Sequence, residues 1–177
     1  VAQGYVVSAR AFSAFMQGRW AEARALAERA EQISQEHGFL SWERATVRFV
    51  ILWSMFYLGD WQAITRRAPP LVEEALERGD RYAAAGMQLG LPNVAWLMED
   101  GPARCRAGIR AMIGAWDVDA FHLQHYYALL AETHVDLSER RGTDALERIR
   151  AQWPELKRSL LLMLPAVRNE GEHLLAR

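Results

Sequence analysis

Along this chain, apolar residues recur every three or four positions, with polar residues between them. In residues 20–36, one such stripe is formed by Ala23, Leu26, Ala27, Ala30 and Ile33. This spacing places apolar side chains on one face of an α-helix, whereas a half-buried strand would need strict alternation. The pattern predicts an all-α chain with helices at 3–17, 20–36, 40–58, 61–78, 80–98, 102–116, 120–140, 143–152 and 155–176.

Turn sequences divide these helices at a fixed step. They begin at residues 18, 59, 100 and 141, which gives a constant step of 41. A second set of breaks lies near residues 37–38, 79–80 and 117–119. Two breaks per period are typical of a repeat that is made of two helices. Proline should also disturb three helices, by kinking or splitting the fourth at Pro69 and Pro70 and by kinking the fifth at Pro92 and the ninth at Pro165.

Alignment of the periods in register supports the repeat. Three columns contain only apolar residues, whereas about half of the whole chain is apolar: Ala23, Ile64, Cys105 and Leu146; Ala14, Met55, Trp96 and Leu137; Ala30, Leu71, Met112 and Trp153. A helix pair cannot bury its apolar face alone, so we expect the pairs to stack on one another. The prediction is a single domain, 1–177, with repeats at 3–38, 39–79, 80–118 and 119–153 and a terminal helix at 155–176.

Composition and charge exclude several classes of protein. With 21 basic and 22 acidic residues the net charge is −1, so we expect no nucleic-acid or acidic-membrane partner. The longest apolar stretch, 49–58, is half the roughly 20 residues that a membrane span requires. The single cysteine excludes an internal disulfide and favours a cytoplasmic location. Because the chain starts without methionine in a helical pattern, we expect it to be a piece of a longer polypeptide.

The turn and second helix of the first repeat resemble the tetratricopeptide motif. The resemblance rests on Gly18-x-Trp20-x-x-Ala23 with Ala27 and Ala30, and Gly59-x-Trp61 repeats its start. The period of 41 departs from the family's period of about 34, and the family's proline after the second helix is absent. The resemblance implies a right-handed α-α superhelix, a solenoid of about four helical hairpins plus a terminal helix, with Trp20 and Trp61 packing inside hairpins.

Three further segments resemble the C-terminal repeat array of bacterial multidomain serine/threonine protein kinases. They are residues 57–61, 93–97 and 121–127. This likeness implies a regulatory or partner-recruiting segment of a larger signalling protein. The segment itself has no glycine-rich loop, His-Arg-Asp loop or phosphate-binding loop, so we expect no catalytic residues and no cofactor.

In tetratricopeptide-like arrays the first helix of each pair lines the concave side, where a protein or peptide partner binds. Carried onto this sequence, the candidate groove residues are Phe12, Phe15, Thr46, Phe49, Trp53, Phe56, Met87, Val94, His122, His125 and Tyr126. The partner could also be another domain of the parent chain. The alternatives are a structural spacer or oligomerisation segment and, less favoured, an all-helical enzyme. The sequence leaves the oligomeric state open.

Five polar or reactive residues need an explanation of their own. His122 and His125 share a helix face, but the next carboxylate on that face, Glu132, is too far along the helix for a metal site. Asn93 and His134 lie one period apart, at a core position of the repeat. We expect them to bond to each other or to nearby backbone, unless both are half exposed. Cys105 shares an apolar column and is expected to be a buried structural thiol.

Overall fold

The computed structural model describes residues 2–37, 41–114, 116 and 120–177, and these contain helices and no β-strand. The all-α prediction is therefore confirmed. The α-helices are α1 (Ala2–Met16), α2 (Trp20–His37), α3 (Ser41–Tyr57), α4 (Trp61–Glu77), α5 (Arg81–Gln88), α6 (Val94–Ile113), α7 (Leu123–Ser138), α8 (Gly142–Arg158) and α9 (Pro165–Ala176). Two short 3-10 helices lie at Leu91–Asn93 and Leu161–Met163.

The helices are grouped in two compact units, Val1–Met87 and Gln88–Arg177. In the first unit, α1 packs on α2 and α3, and α3 also packs on α2 and α4. In the second unit, α7 packs on α6 and α8, and α8 contacts α9. From α1 to α4 and from α6 to α9, each helix therefore contacts the next one in the chain. The single-domain prediction remains a prediction.

The second helix of each pair has the same pattern of burial near its start, which in α6 is the stretch after the non-helical Gly101. Two buried residues lie four positions apart, and the residue midway between them is exposed. The buried pairs are Ala23 and Ala27, Ile64 and Ala68, Cys105 and Ile109, and Ala145 and Ile149. The successive steps between these pairs are 41, 41 and 40. The predicted column is thus confirmed at its first three positions and wrong at the fourth, where Ala145 takes the buried place and Leu146 is half-buried.

One turn geometry joins the two helices of three pairs. At the α1–α2 turn, Arg19 N–H donates to the Ala14 carbonyl at 2.9 Å. At the α3–α4 turn the Asp60 N–H donates to the Met55 carbonyl, and at the α7–α8 turn the Arg141 N–H donates to the Asp136 carbonyl. Both bonds are also 2.9 Å long. The residue before each donor has a positive φ: 73° at Gly18, 75° at Gly59 and 61° at Arg140. Such left-handed residues close helix C-termini, and glycine occupies them at the lowest steric cost.

The fourth turn sequence was placed wrongly. Alignment on glycine predicted the turn at 141–143, but Gly142 is the first residue of α8 and Arg140 occupies the left-handed position. Spacing between buried side chains, and not the position of a glycine, fixes where the turn must lie. The predicted break at 37–38 begins at the last residue of α2, His37, and its second residue and the predicted break at 117–119 lie outside the described residues.

Two proline positions that were predicted to interrupt helices do not end them. Helix α4 runs through Pro69 and Pro70, and α8 runs through Pro154, so the predicted boundary at 152–155 is wrong. In both helices the buried stripe continues past the proline, at Val72 in α4 and at Leu156 in α8. Burial of these side chains offsets the backbone hydrogen bond that each proline removes.

Two other prolines have a larger effect than the predicted kinks. Helix α5 already ends at Gln88, and Pro92 lies in the 3-10 helix that follows. Pro165 is the first residue of α9, where a missing N–H costs nothing, so the predicted single helix 155–176 is wrong. Of the helices in the described part of the chain, none has both the length and the apolar character needed to cross a membrane.

Candidate interaction surfaces

Aromatic side chains from α1 to α4 form one cluster in the first unit. Trp20 stacks on Tyr57 with ring centroids 4.2 Å apart. Phe15 meets Trp20 edge-on at 5.2 Å and Phe49 at 6.1 Å, and Phe49 lies 4.6 Å from Trp53. Aromatic pairs at these distances stabilise beyond the area they bury. Ring contacts thus join α1 to α2, α1 to α3 and α2 to α3.

Both tryptophans that open second helices contact the preceding helix of their own pair. Trp20 packs against Phe15, and Trp61 lies 6.3 Å from Phe56. The two contacts occupy equivalent positions in successive repeats. The hairpin-packing role expected of these tryptophans is consistent with this geometry.

The candidate groove residues of the first unit differ in how far a partner could reach them. Phe15, Trp53 and Met87 are buried, so a partner could not reach them directly. Thr46, Phe49 and Phe56 are half-buried, and Phe12 is exposed. The structure therefore brings Phe15, Phe49 and Trp53 together in one cluster. Use of this surface as a groove remains a prediction.

The candidate residues of the second unit have contacts of their own. Tyr126 is buried and its hydroxyl donates to the Val167 carbonyl at 3.1 Å, which links α7 to α9. The His125 Nδ1 atom accepts from the His122 N–H at 3.0 Å, so His125 satisfies a backbone donor at the start of α7. His122 is exposed and Val94 is half-buried. Tyr126 thus makes the interhelical hydrogen bond that was one expected role for this segment.

A chain of alternating charges crosses α2, α3 and α4. Its centre is the buried Arg48, whose guanidinium lies 3.1 Å from Glu31 and 2.8 Å from Glu74. Glu31 also pairs with Arg67, and Arg24 pairs with Asp60 at 2.8 Å. Glu74 also pairs with Arg78, four residues further along the chain. Because the charges alternate, this surface presents no field of one sign to an approaching partner.

Asp136 is the site residue that sequence reasoning missed. Its side chain is fully buried on α7, 2.7 Å from Arg106 of α6 and 2.8 Å from Arg148 of α8. Arg140 lies four residues on in the sequence, but the carboxylate turns inward to other helices. Asp136 occupies the place that the repeat alignment assigned to the apolar Leu137. The repeat alignment points to Asp136 as a buried position only when its last step is 40 and not 41.

Asn93 is buried and its side chain makes two hydrogen bonds. The amide donates to the Gln88 carbonyl at 3.1 Å and accepts from the Cys105 thiol at 2.9 Å. The expectation of a bond to nearby backbone is confirmed for Asn93, and half-exposure is excluded for it. Cys105 is also buried, and burial raises the pKa of its thiol to about 11. Such a thiol stays protonated near neutral pH and is a poor nucleophile.

His134 is half-buried on α7. Burial, followed by the nearby positive charges of Arg177 and His173, lowers the pKa of His134 to about 4. The imidazole is therefore neutral at physiological pH. Within the described ranges no group of three or more His, Cys, Asp and Glu side chains could hold a metal ion.

Comparisons with known proteins give no family for this chain. No protein-family model, no curated protein and no solved structure matches it.

Proposed function

We propose that this chain is a non-catalytic helical-repeat scaffold that mediates protein–protein interaction. The observation that carries the proposal is the recurrence of one burial pattern at successive steps of 41, 41 and 40 along the chain, with the same turn in three of the four pairs. Repetition of this kind extends a surface along the chain without building an enclosed site. The arrangement we infer is a right-handed, tetratricopeptide-like superhelix.

One contact between successive pairs recurs in both units and supports stacking. Arg24, one position after the first buried residue of α2, reaches Asp60 at the turn of the next pair. Arg106 has the same position on α6 and reaches Asp136 and Glu139 at the end of α7. In each unit an arginine of one pair therefore holds the turn of the following pair.

The aromatic cluster of the first unit is the favoured contact surface. Large aromatic side chains supply most of the binding energy at protein interfaces, and half-buried ones are already held in place before a partner arrives. Phe49 and Phe56 meet both conditions. We infer that a helical or extended peptide binds along α3.

Selection from a random peptide library displayed on phage tests this function. Peptides enriched on the chain should lose at least tenfold in affinity when Phe49→Ala and Phe56→Ala are introduced together. Tyr82→Ala is the control, because Tyr82 is an exposed aromatic residue that lies outside both α3 and the candidate set. The proposed surface would be refuted if the enriched peptides bind the Phe49→Ala, Phe56→Ala variant as tightly as the parent chain while the two proteins have the same melting temperature.

The parent protein is a separate proposal that rests on the resemblance of residues 57–61, 93–97 and 121–127. We propose that the chain is a partner-recruiting region of a bacterial signalling protein such as a serine/threonine kinase, and that it is cytoplasmic. The coding sequence on either side provides the test. A kinase or ATPase domain there supports the proposal, and a free-standing short gene contradicts it.

A further inference from the structure

Helix α1 exposes a line of apolar side chains, the α1 stripe, formed by Val6, Ala9, Phe12 and Met16. Val6 is 59% exposed, Phe12 45% and Met16 39%, and Ala9 is exposed as well. Spacings of three and four residues place them on one side of the helix. The residues that α1 buries against its own unit lie on another side: Gly4, Val7, Ala11, Ala14 and Phe15.

The same positions one repeat later are covered. The equivalents of Val6, Ala9 and Phe12 at the step of 41 are Val47, Val50 and Trp53 of α3, which are 3%, 1% and 5% exposed. The counterpart of Met16 is Tyr57, which is half-buried beneath the stacked ring of Trp20. Helix α3 differs from α1 in that a helix pair, α1 with α2, packs on it. At this face Trp20 of α2 covers Tyr57, and helical spacing places Val50 and Trp53 on the same side of α3 as Tyr57.

We propose that the α1 stripe is a docking surface for an antiparallel helix pair of the kind that α1 and α2 form. This inference rests on the proposed function, because it assumes that repeat pairs stack. The docked pair would place its second helix against α1 as α2 lies against α3. It would bury Val6, Ala9 and Phe12 to the extent seen at Val47, Val50 and Trp53.

The charges on α1 define the chemistry of that pair. Within Ala2–Met16 the one charged residue is Arg10, whose counterpart on α3 is the fully buried Ile51. A buried arginine needs a carboxylate, and the buried Arg48 of α3 obtains one from Glu31 of α2. The partner should therefore present a face of small and apolar residues with one acidic residue opposite Arg10.

The last helix shows that an exposed helix of this chain can be polar. The outward positions of α9 include Arg168, Asn169, Glu172 and His173. A polar outer face is what the end of a helical array requires for solubility. The α1 stripe lacks this character, and contiguous exposed apolar side chains mark interaction sites.

A tandem extension supplies the proposed partner. A second copy of residues 1–41, placed directly before Val1, restores the step of 41 and offers a helix pair to α1. Val6→Ser and Phe12→Ser in the added copy keep it from presenting a stripe of its own. Amide hydrogen exchange on the original α1 should slow at least tenfold relative to the unextended chain, and the melting temperature should rise.

The matched control carries Val6→Ser and Phe12→Ser in the original α1 of the extended chain, and it should lose the slowed exchange. The same two changes in the unextended chain should leave its melting temperature nearly unchanged, because both side chains are exposed there.

Two results would overturn the inference. One is exchange on α1 that is equally fast with and without the added pair. The other is a concentration-dependent dimer of the unextended chain that Val6→Ser and Phe12→Ser abolish, since the occupant would then be a second copy. Neither result affects peptide binding through Phe49 and Phe56, so the two proposals can fail separately.

Discussion

The helix pairs α3–α4 and α7–α8 share a backbone design and differ in what they bury. Their turns lie two repeats apart and close with the same hydrogen bonds, at 2.9 Å and 3.0 Å. Where the first pair buries Met55, the second buries Asp136, and where the first turns at Gly59, the second turns at Arg140. The same turn also occurs between pairs, at Gly79, so the spacing of buried positions defines the pair, while the buried chemistry can change if each charge finds a partner.

The two choices stabilise the pairs by different routes. Removing a methionine side chain from water contributes about 1.5–3 kcal/mol and needs no particular neighbour. Burying a carboxylate costs several kcal/mol unless opposite charges and hydrogen bonds are in place. Arg106 and Arg148 meet that need for Asp136. The stability of the second pair therefore depends more on side chains from other helices than the stability of the first pair does.

The largest effect on stability is expected from Asp136→Ala, which removes the buried carboxylate that Arg106 and Arg148 share. Two arginines that are mostly buried would lose their shared carboxylate, and we expect the free energy of unfolding to fall by about 3–5 kcal/mol. Urea denaturation followed by circular dichroism measures the loss. Glu139→Gln is the control, because Glu139 pairs with Arg106 from a more exposed position and should cost below about 1 kcal/mol. Equal effects of the two changes would contradict the comparison.

A smaller effect, a dependence of stability on pH, is expected from His134. This residue occupies the position that Trp53 has in the first pair. Its pKa is about 4 in the folded chain and near its usual 6.5 when unfolded. The unfolded chain therefore binds the proton first, so stability is lost as pH falls from about 6.5 to about 4. The slope from this group cannot exceed about 1.4 kcal/mol per pH unit.

Denaturation curves at several pH values check this, with His134→Gln as the variant. The difference in stability between parent and variant should shrink as the pH is lowered through that window. His122→Gln controls for an exposed histidine of the same region. Parallel pH profiles for the parent and His134→Gln would show that the proton is not linked to folding here.

The smallest effect, and one of opposite sign, is expected from Arg140→Gly. Arg140 has a φ of 61°, in the region where a side chain costs about 1–2 kcal/mol, whereas the equivalent residues of two other turns are glycines. Glycine should stabilise the chain by up to about 1 kcal/mol, because the relieved strain exceeds the added flexibility of the unfolded chain. Thermal melting measures this gain. Arg141→Gly, at an ordinary negative φ, should give no gain, and a gain of similar size there would argue against relief of strain.

Local patterns were sufficient for the helices and for most of the repeat. The spacing of apolar residues predicted α1, α2, α3 and α4 to within a few residues, because each helix buries one continuous stripe. It failed at Pro154 and at residues 159–164, where the outcome depends on which side chains other helices cover. The burial of Asn93 and its bond to backbone followed from its place in an apolar column.

The sequence by itself determined that the chain is helical and that two helices recur with a period near 41, since both follow from side-chain spacing within one helix or one turn. Only the tertiary structure decided that the last step is 40, that Asp136 points inward and that Arg140 adopts a left-handed conformation. These features depend on which helices meet and on where their charges can be paired. A pattern along the chain does not contain those distances.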